Sequence, residues 1–349
     1  MVDLDNKDLF IDDNIIANTT ITPLSTSNNC LVGRIEKMVI QDGKIYLQDK
    51  QQKSIITFNE NGDFIHKLNK HGAGPDEYRN ILDFDVNPQT NNIEILDLRK
   101  LLVYNTNKLI KTYKVSSKEY PVFNNVMCLG EDKNAIYSFG RETGMLYSKE
   151  SEDFSMPMPF NYPKYINNVP TGADKFFRNG DIGLYYHGYP YDIYQVSENG
   201  FEVKYKWDFG KYNFNAEDFY SKNTSKSLDQ SRRLIQMKYV HCLVNVYESK
   251  SLLLSTLAFE GKPALIIYDK TSKTIRINKG LLAGMLASFK ATFTKDNKLH
   301  ICLTPQNLKR ASERLSFLSS DQQKTIADLD LEANPVILSI KLQENLTKN

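Results

Sequence analysis

The sequence predicts an all-β fold, a six-bladed β-propeller, and two observations carry that reading. A unit of short strands returns about every 45 residues, the period of a propeller blade. The apolar markers Ile45, Ile93, Ile136, Ile182, Leu252 and Leu299 each sit in the second strand of a unit, at intervals of 48, 43, 46, 70 and 47 residues. Five intervals give six units, and the single long one marks an insertion. One such sheet cannot bury its faces alone, so the units must stack into a ring.

The elements follow in order. Residues 1–14 are polar and are expected to form a mobile segment ahead of one domain spanning residues 15–345. Ile15–Leu24 has strand composition but stands apart from the first blade, expected over about Leu31–Asn69. Lys44–Leu68 and Asn92–Val115 are the clearest copies of the repeat. Each has an apolar strand ending in Asp49 or Asp97, then a strand ending in Phe58-Asn59 or Tyr104-Asn105, then a third strand. The two Asp residues are read as acceptors for the backbone amides of the turn that follows each. The Asn-Gly pairs at Asn61-Gly62 and Asn199-Gly200 mark hairpins. Blades 2, 3, 4 and 5 are placed at about Ile81–Val115, Pro121–Pro159, Asp174–Gly210 and Tyr239–Lys279, with blade 6 starting near Ala287.

Two segments break the pattern. Asn215–Met237 lies between blades 4 and 5, and its second half reads as helix. Gln306–Leu331 has helical spacing at Leu308, Leu315, Leu318 and Ile326, inside blade 6. The chain returns to strand at Asn334–Leu342, which leaves blade 6 one strand short. The orphan Ile15–Leu24 supplies it: the N-terminal strand is expected to close the last blade.

Composition excludes several function classes. The net charge is +2, with a pI near 8.1, so no strong field favours nucleic acid or an anionic membrane. No run reaches the roughly 20 apolar residues of a membrane span. Cys30, Cys128, Cys242 and Cys302 lack zinc-site spacing and are read as free, buried residues. His66, His71, His187, His241 and His300 form no HxH or HExxH motif, and there is no GxSxG elbow. No catalytic residue, metal ligand or cofactor is therefore assigned.

Candidate ligand-binding residues come from three places. The loop HGAGPDEYR contributes His71, Asp76, Glu77, Tyr78 and Arg79. It joins an outer strand to the next inner strand, so it must cross a face of the disc toward the channel mouth. Gly72, Gly74 and Pro75 shape its backbone. The bland alternative is an inter-blade staple, with Glu77 capping amides and Tyr78 packed between sheets. His187 and Tyr189 belong to the aromatic run YYHGYPYDIY, and Arg232 to the inserted segment before blade 5.

The segments ITPL, GRIEKMVIQDGKIYLQD, FNENGDFI, HGAGPDEY, YDIYQV, KYKWDFG and NPVILSIKL, taken together over about Ile15–Leu342, carry a resemblance. The chain resembles the six-bladed β-propeller proteins of Bacteroidetes cell envelopes, related in shape to TolB-like and NHL-like propellers. Asp76 departs from the small residue usual after Pro75. The resemblance implies a secreted or lipid-anchored protein of the periplasm or cell envelope, its signal peptide removed, and implies no reaction. The expected function is an extracytoplasmic binding or scaffold module that recognises a peptide, glycan or partner protein at the channel mouth. The alternative is a hydrolase or lyase with a metal bound in the central channel.

Overall fold

The computed structural model describes residues 1–115, 122–139, 142–155, 172, 174–222, 233, 234, 236–344 and 346. Apolar and aromatic residues alternate along short runs, and such runs are stable only as half-buried strands. They form six four-stranded antiparallel sheets around one axis. Blade 1 is β2 Ile35–Gln41, β3 Lys44–Asp49, β4 Ser54–Asn59 and β5 Phe64–Leu68, from axis to rim. Blade 2 is β6 Asp83–Val86, β7 Ile93–Asp97, β8 Lys100–Asn105 and β9 Lys108–Lys114. Blade 3 is β10 Phe123–Cys128, β11 Lys133–Ser138, β12 Thr143–Ser148 and β13 Asp153–Ser155. Blade 4 is β14 Phe176–Asn179, β15 Ile182–Tyr186, β16 Asp192–Ser197 and β17 Gly200–Lys206. Blade 5 is β18 Leu243–Glu248, β19 Leu252–Phe259, β20 Lys262–Asp269 and β21 Thr274–Asn278.

Blade 6 closes the ring as expected. Its order is β22 Ala291–Phe293, β23 Lys298–Leu303, β24 Val336–Leu342 and, outermost, β1 Ile16–Pro23. The register runs from Ile16 opposite Leu342 to Pro23 opposite Val336. Asn334 fixes the clasp to blade 1. Its Nδ2 donates to the carbonyls of Ser25 (2.6 Å) and Cys30 (2.7 Å), and its Oδ1 accepts from the Val32 amide at 2.8 Å. Gly62 sits under the same crossing with φ of +88°, and a Cβ there would stand 2.2 Å from the Pro23 carbonyl oxygen.

Helices lie where strands are interrupted. Helix α1 (Ala216–Lys222) follows blade 4, in the first half of the inserted segment. Helix α2 (Leu281–Ser288) separates blades 5 and 6; its apolar run LLAGML looks like another buried strand in sequence, and it moves the start of blade 6 to Ala291. Helices α3 (Pro305–Ser312) and α4 (Ser320–Ala327) lie between β23 and β24. Thr304 caps α3, and Ser319 with Gln322 forms a capping box on α4.

The first fourteen residues, read from their polarity as mobile, lie along blades 4 and 5. Val2 and Leu4 are buried, the Val2 amide donates to the Asp208 carbonyl at 2.6 Å, and Phe10 bridges Ile277 of β21. The two apolar side chains among acids are what anchor the segment.

Asp49 accepts amides of the turn that follows it, as expected, whereas Asp97 accepts amides of the crossover that precedes its blade. Asp49 takes the amides of Gly33, Gln51 and Gln52, at 2.6, 2.9 and 3.0 Å. Asp97 takes those of Arg79 and Asn80 at 3.0 and 3.2 Å. Each thereby ties the crossover entering its blade to the second strand. The four cysteines are free and buried.

His300 on β23 sits between the hydroxyls of Ser339 (2.8 Å) and Thr294 (3.3 Å), and burial pushes its pKa down to about 4. The unfolded chain binds its proton first, so as pH falls from about 6.5 toward 4 this site costs stability. Denaturation midpoints should drop across that window more steeply in the native chain than in His300→Gln. Equal slopes would show that His300 has no part in acid sensitivity.

Candidate functional site

The inner strands of the six blades enclose a cavity of about 470 Å³ on the ring axis. These strands are apolar with regular polar interruptions: Lys37 and Gln41 on β2, Asp83 and Asp85 on β6, Arg178 on β14, Asn245 on β18 and Thr292 on β22. Antiparallel alternation brings such residues to the axis from strands far apart in sequence.

One half of the wall is internally satisfied. Arg178 grips Asp85 with both ends of its guanidinium, Nε to Oδ2 at 3.1 Å and Nη2 to Oδ1 at 2.9 Å. Its Nη1 donates to Gln41 Oε1 at 2.9 Å, so one side chain of blade 4 holds blades 1 and 2. Burial opposes the charge on Asp85, but Arg178 outweighs it and holds the carboxyl below its usual range. Lys37 pairs with Asp83 at 2.8 Å; burial opposes its charge, and Asp83 with Asp85 holds it above the usual range. Asp83 and Asp85 also accept the amides of Val126 (2.9 Å) and Cys128 (2.8 Å) of blade 3.

The other half is less occupied. Asp174 and Lys290 stand 3.7 Å apart, and Asn245 donates to the Leu286 carbonyl at 3.1 Å. Thr292, Phe176 and Tyr247 complete this wall, which blades 4, 5 and 6 supply. No histidine lines the cavity. Among the described residues, no group of three His, Cys, Asp or Glu side chains is placed to hold a metal ion.

None of the five candidate residues of the HGAGPDEYR loop lines this cavity. Tyr78 is fully buried between blades 1 and 2, its ring edge-on to Tyr104 at 6.2 Å. Its hydroxyl donates to the Lys53 carbonyl at 2.9 Å and accepts from the Lys70 amide at 3.2 Å, and burial pushes its pKa up to about 12. Glu77 turns back to accept the Gly74 amide at 2.6 Å, and a Cβ on Gly72 would meet Glu77 Oε2 at 1.9 Å. The Asp76 carbonyl accepts the Tyr104 hydroxyl, His71 meets Lys53 Nζ at 3.0 Å, and the Arg79 amide is held by Asp97. These are the contacts of a staple. Tyr78→Phe should therefore cost about 1–2 kcal/mol by leaving buried backbone groups unpaired. Urea denaturation reads this directly; an unchanged midpoint would leave the loop free for ligand work.

His187 and Tyr189 lie apart from the cavity and from that loop. His187 is buried between blades 3 and 4, its Nε2 3.0 Å from Glu142 and its Nδ1 3.0 Å from the Tyr189 carbonyl. Burial lowers its pKa despite the Glu142 carboxylate, and burial brings its neighbour Lys175 down to about 8. Tyr189 packs on Tyr191 and Phe214, and its hydroxyl accepts the Ala216 amide at 3.2 Å. Arg232 lies outside the described residues. The cavity residues escaped sequence reasoning because they form no linear motif. The available signal was a polar residue interrupting the first strand of nearly every repeat.

The model of a domain of unknown function, DUF4934, matches residues 3–341. No curated protein matches the chain. A solved structure named "Putative exported protein", from Bacteroides fragilis NCTC 9343, superposes with a TM-score of 0.75 at 16% identity, covering 96% of this chain and 99% of that one. A member of the DUF4221 family from Bacteroides vulgatus ATCC 8482 gives a TM-score of 0.58 at 10% identity, covering 95% and 98%. At these identities the likeness is one of fold.

Proposed function

The chain belongs to the DUF4934 family, and from that premise we propose that it is a binding module whose site is the central cavity. One observation carries the reading: every blade contributes to a cavity of about 470 Å³, within the size range of ligand sites. Rigid inner strands position its walls, and the Arg178–Asp85–Gln41 hub locks three blades around it. The ligand reaches it from a face of the disc, as a group on a peptide, a glycan or a partner protein. An extracytoplasmic place of action fits the exported-protein name of the Bacteroides fragilis neighbour, and no helix of the described residues is long and apolar enough to cross a membrane.

Thr292→Trp fills the cavity from blade 6 without touching the hub. The protein screened on peptide and glycan arrays should bind one class, and this variant should lose that binding more than tenfold while melting within a few degrees of the parent. Retained binding by the filled variant would overturn the cavity as the site.

A further inference from the structure

Resting on the cavity reading above, we infer that the bound group is a neutral sugar unit held by Asp174, Asn245, Lys290 and Thr292. The cavity wall carries four basic and four acidic side chains, so it presents no net field to a ligand. A net-charged ligand would leave one sign unmatched in a confined space, whereas a neutral polar one would not.

The two halves of the wall differ in what they still offer. Lys37, Asp83, Asp85, Arg178 and Gln41 engage one another. Across the axis, the side chains of Asp174 and Thr292 make no hydrogen bond among the described residues, and Lys290 comes only within 3.7 Å of Asp174. Asn245 uses its Nδ2 on Leu286 and keeps its Oδ1. All four are partly exposed on the wall rather than buried in it.

That set matches the chemistry of a sugar ring. Each hydroxyl both donates and accepts, so adjacent hydroxyls pair with a carboxylate or amide oxygen on one side and an ammonium on the other. Asp174 and Asn245 supply acceptors, Lys290 supplies donors, and Thr292 supplies either. Phe176, partly exposed in the same wall, offers an apolar face for the C–H side of the ring.

Calorimetric titration with neutral gluco-, manno-, galacto- and xylo-oligosaccharides, their uronate counterparts, and zwitterionic dipeptides tests this. A neutral sugar should bind, and Asp174→Ala, Asn245→Ala and Thr292→Val should each weaken it roughly tenfold, about 1.4 kcal/mol. Arg79→Ala, on the crossover loop, should leave it unchanged, with melting curves confirming that every variant folds. Dipeptides that bind in place of sugars, with the same sensitivity to Asp174→Ala, would end the sugar assignment and leave the cavity reading standing. Sugar binding indifferent to all three substitutions would also end it. If no sugar in the panel binds, the inference fails, and the peptide and glycan arrays then decide the cavity reading separately.

Discussion

Deleting residues 1–24 should abolish the cooperative fold or cost roughly 5 kcal/mol or more, a large share of the ~5–15 kcal/mol typical of a folded chain. The deletion strips β1 from β24 and leaves seven residues of an apolar strand, Val336–Leu342, with an open edge. It also removes Ile15 and Leu24 from the core, together with Val2 and Leu4. Each buried aliphatic side chain contributes about 1.5–3 kcal/mol. A propeller has no central core to compensate, because each blade packs only on its neighbours. The truncated protein should elute as aggregates or show a broad, low-temperature unfolding transition. Deleting residues 1–10 alone should be milder, since β1 remains paired. A truncated chain missing residues 1–24 that stays monomeric and melts within a few degrees of the parent would refute closure by β1 as the source of stability.

The same clasp shows how legible this fold was. The repeat period, the Asp-ended strands and the orphan Ile15–Leu24 are local or periodic signals, and hydrophobic periodicity reports strands reliably when turns punctuate them. Helix α2 was not legible, because an apolar run of this length fits a buried strand as well as a buried helix. The site was legible only in part. Asp49 and Asp97 act on amides close in sequence or on the preceding crossover, so their role follows from position. Arg178 meets Asp85, 93 residues away, and Gln41, 137 residues away. Such convergence depends on the order and rotation of the blades around the axis, which no single segment encodes. Tyr78 drew attention as part of a Gly- and Pro-rich loop rich in polar groups. Those same residues are what a tight crossover needs to bury a tyrosine and return its own carboxylate to its amides.

The second large effect is expected at Glu94, on β7. Its carboxylate is buried, 1% exposed, and takes three donors: Lys149 Nζ at 2.8 Å, Asn134 Nδ2 at 2.8 Å and Asn87 Nδ2 at 3.0 Å. Lys149 and Asn134 come from blade 3, so the cluster joins blades 2 and 3 through charge. Glu94→Ala removes the carboxylate and strands the Lys149 ammonium, itself 3% exposed, without its carboxylate partner in a buried site. Breaking a buried pair in this way costs about 3–5 kcal/mol. The exposed pair Lys238–Glu260, at 3.1 Å, should contribute at most about 1 kcal/mol, because solvent screens it. The sharper test is the double variant Glu94→Ala/Lys149→Met, which removes both charges and restores apolar volume. It should recover most of the loss, because the penalty comes from the unpaired ammonium more than from the lost attraction. Guanidinium denaturation of the single and double variants measures both quantities. A single variant that loses less than 1 kcal/mol would mean that Lys149 finds water or another acceptor. A double variant no better than the single would mean that the geometry of the Asn87 and Asn134 hydrogen bonds, and not the charge, holds blades 2 and 3 together.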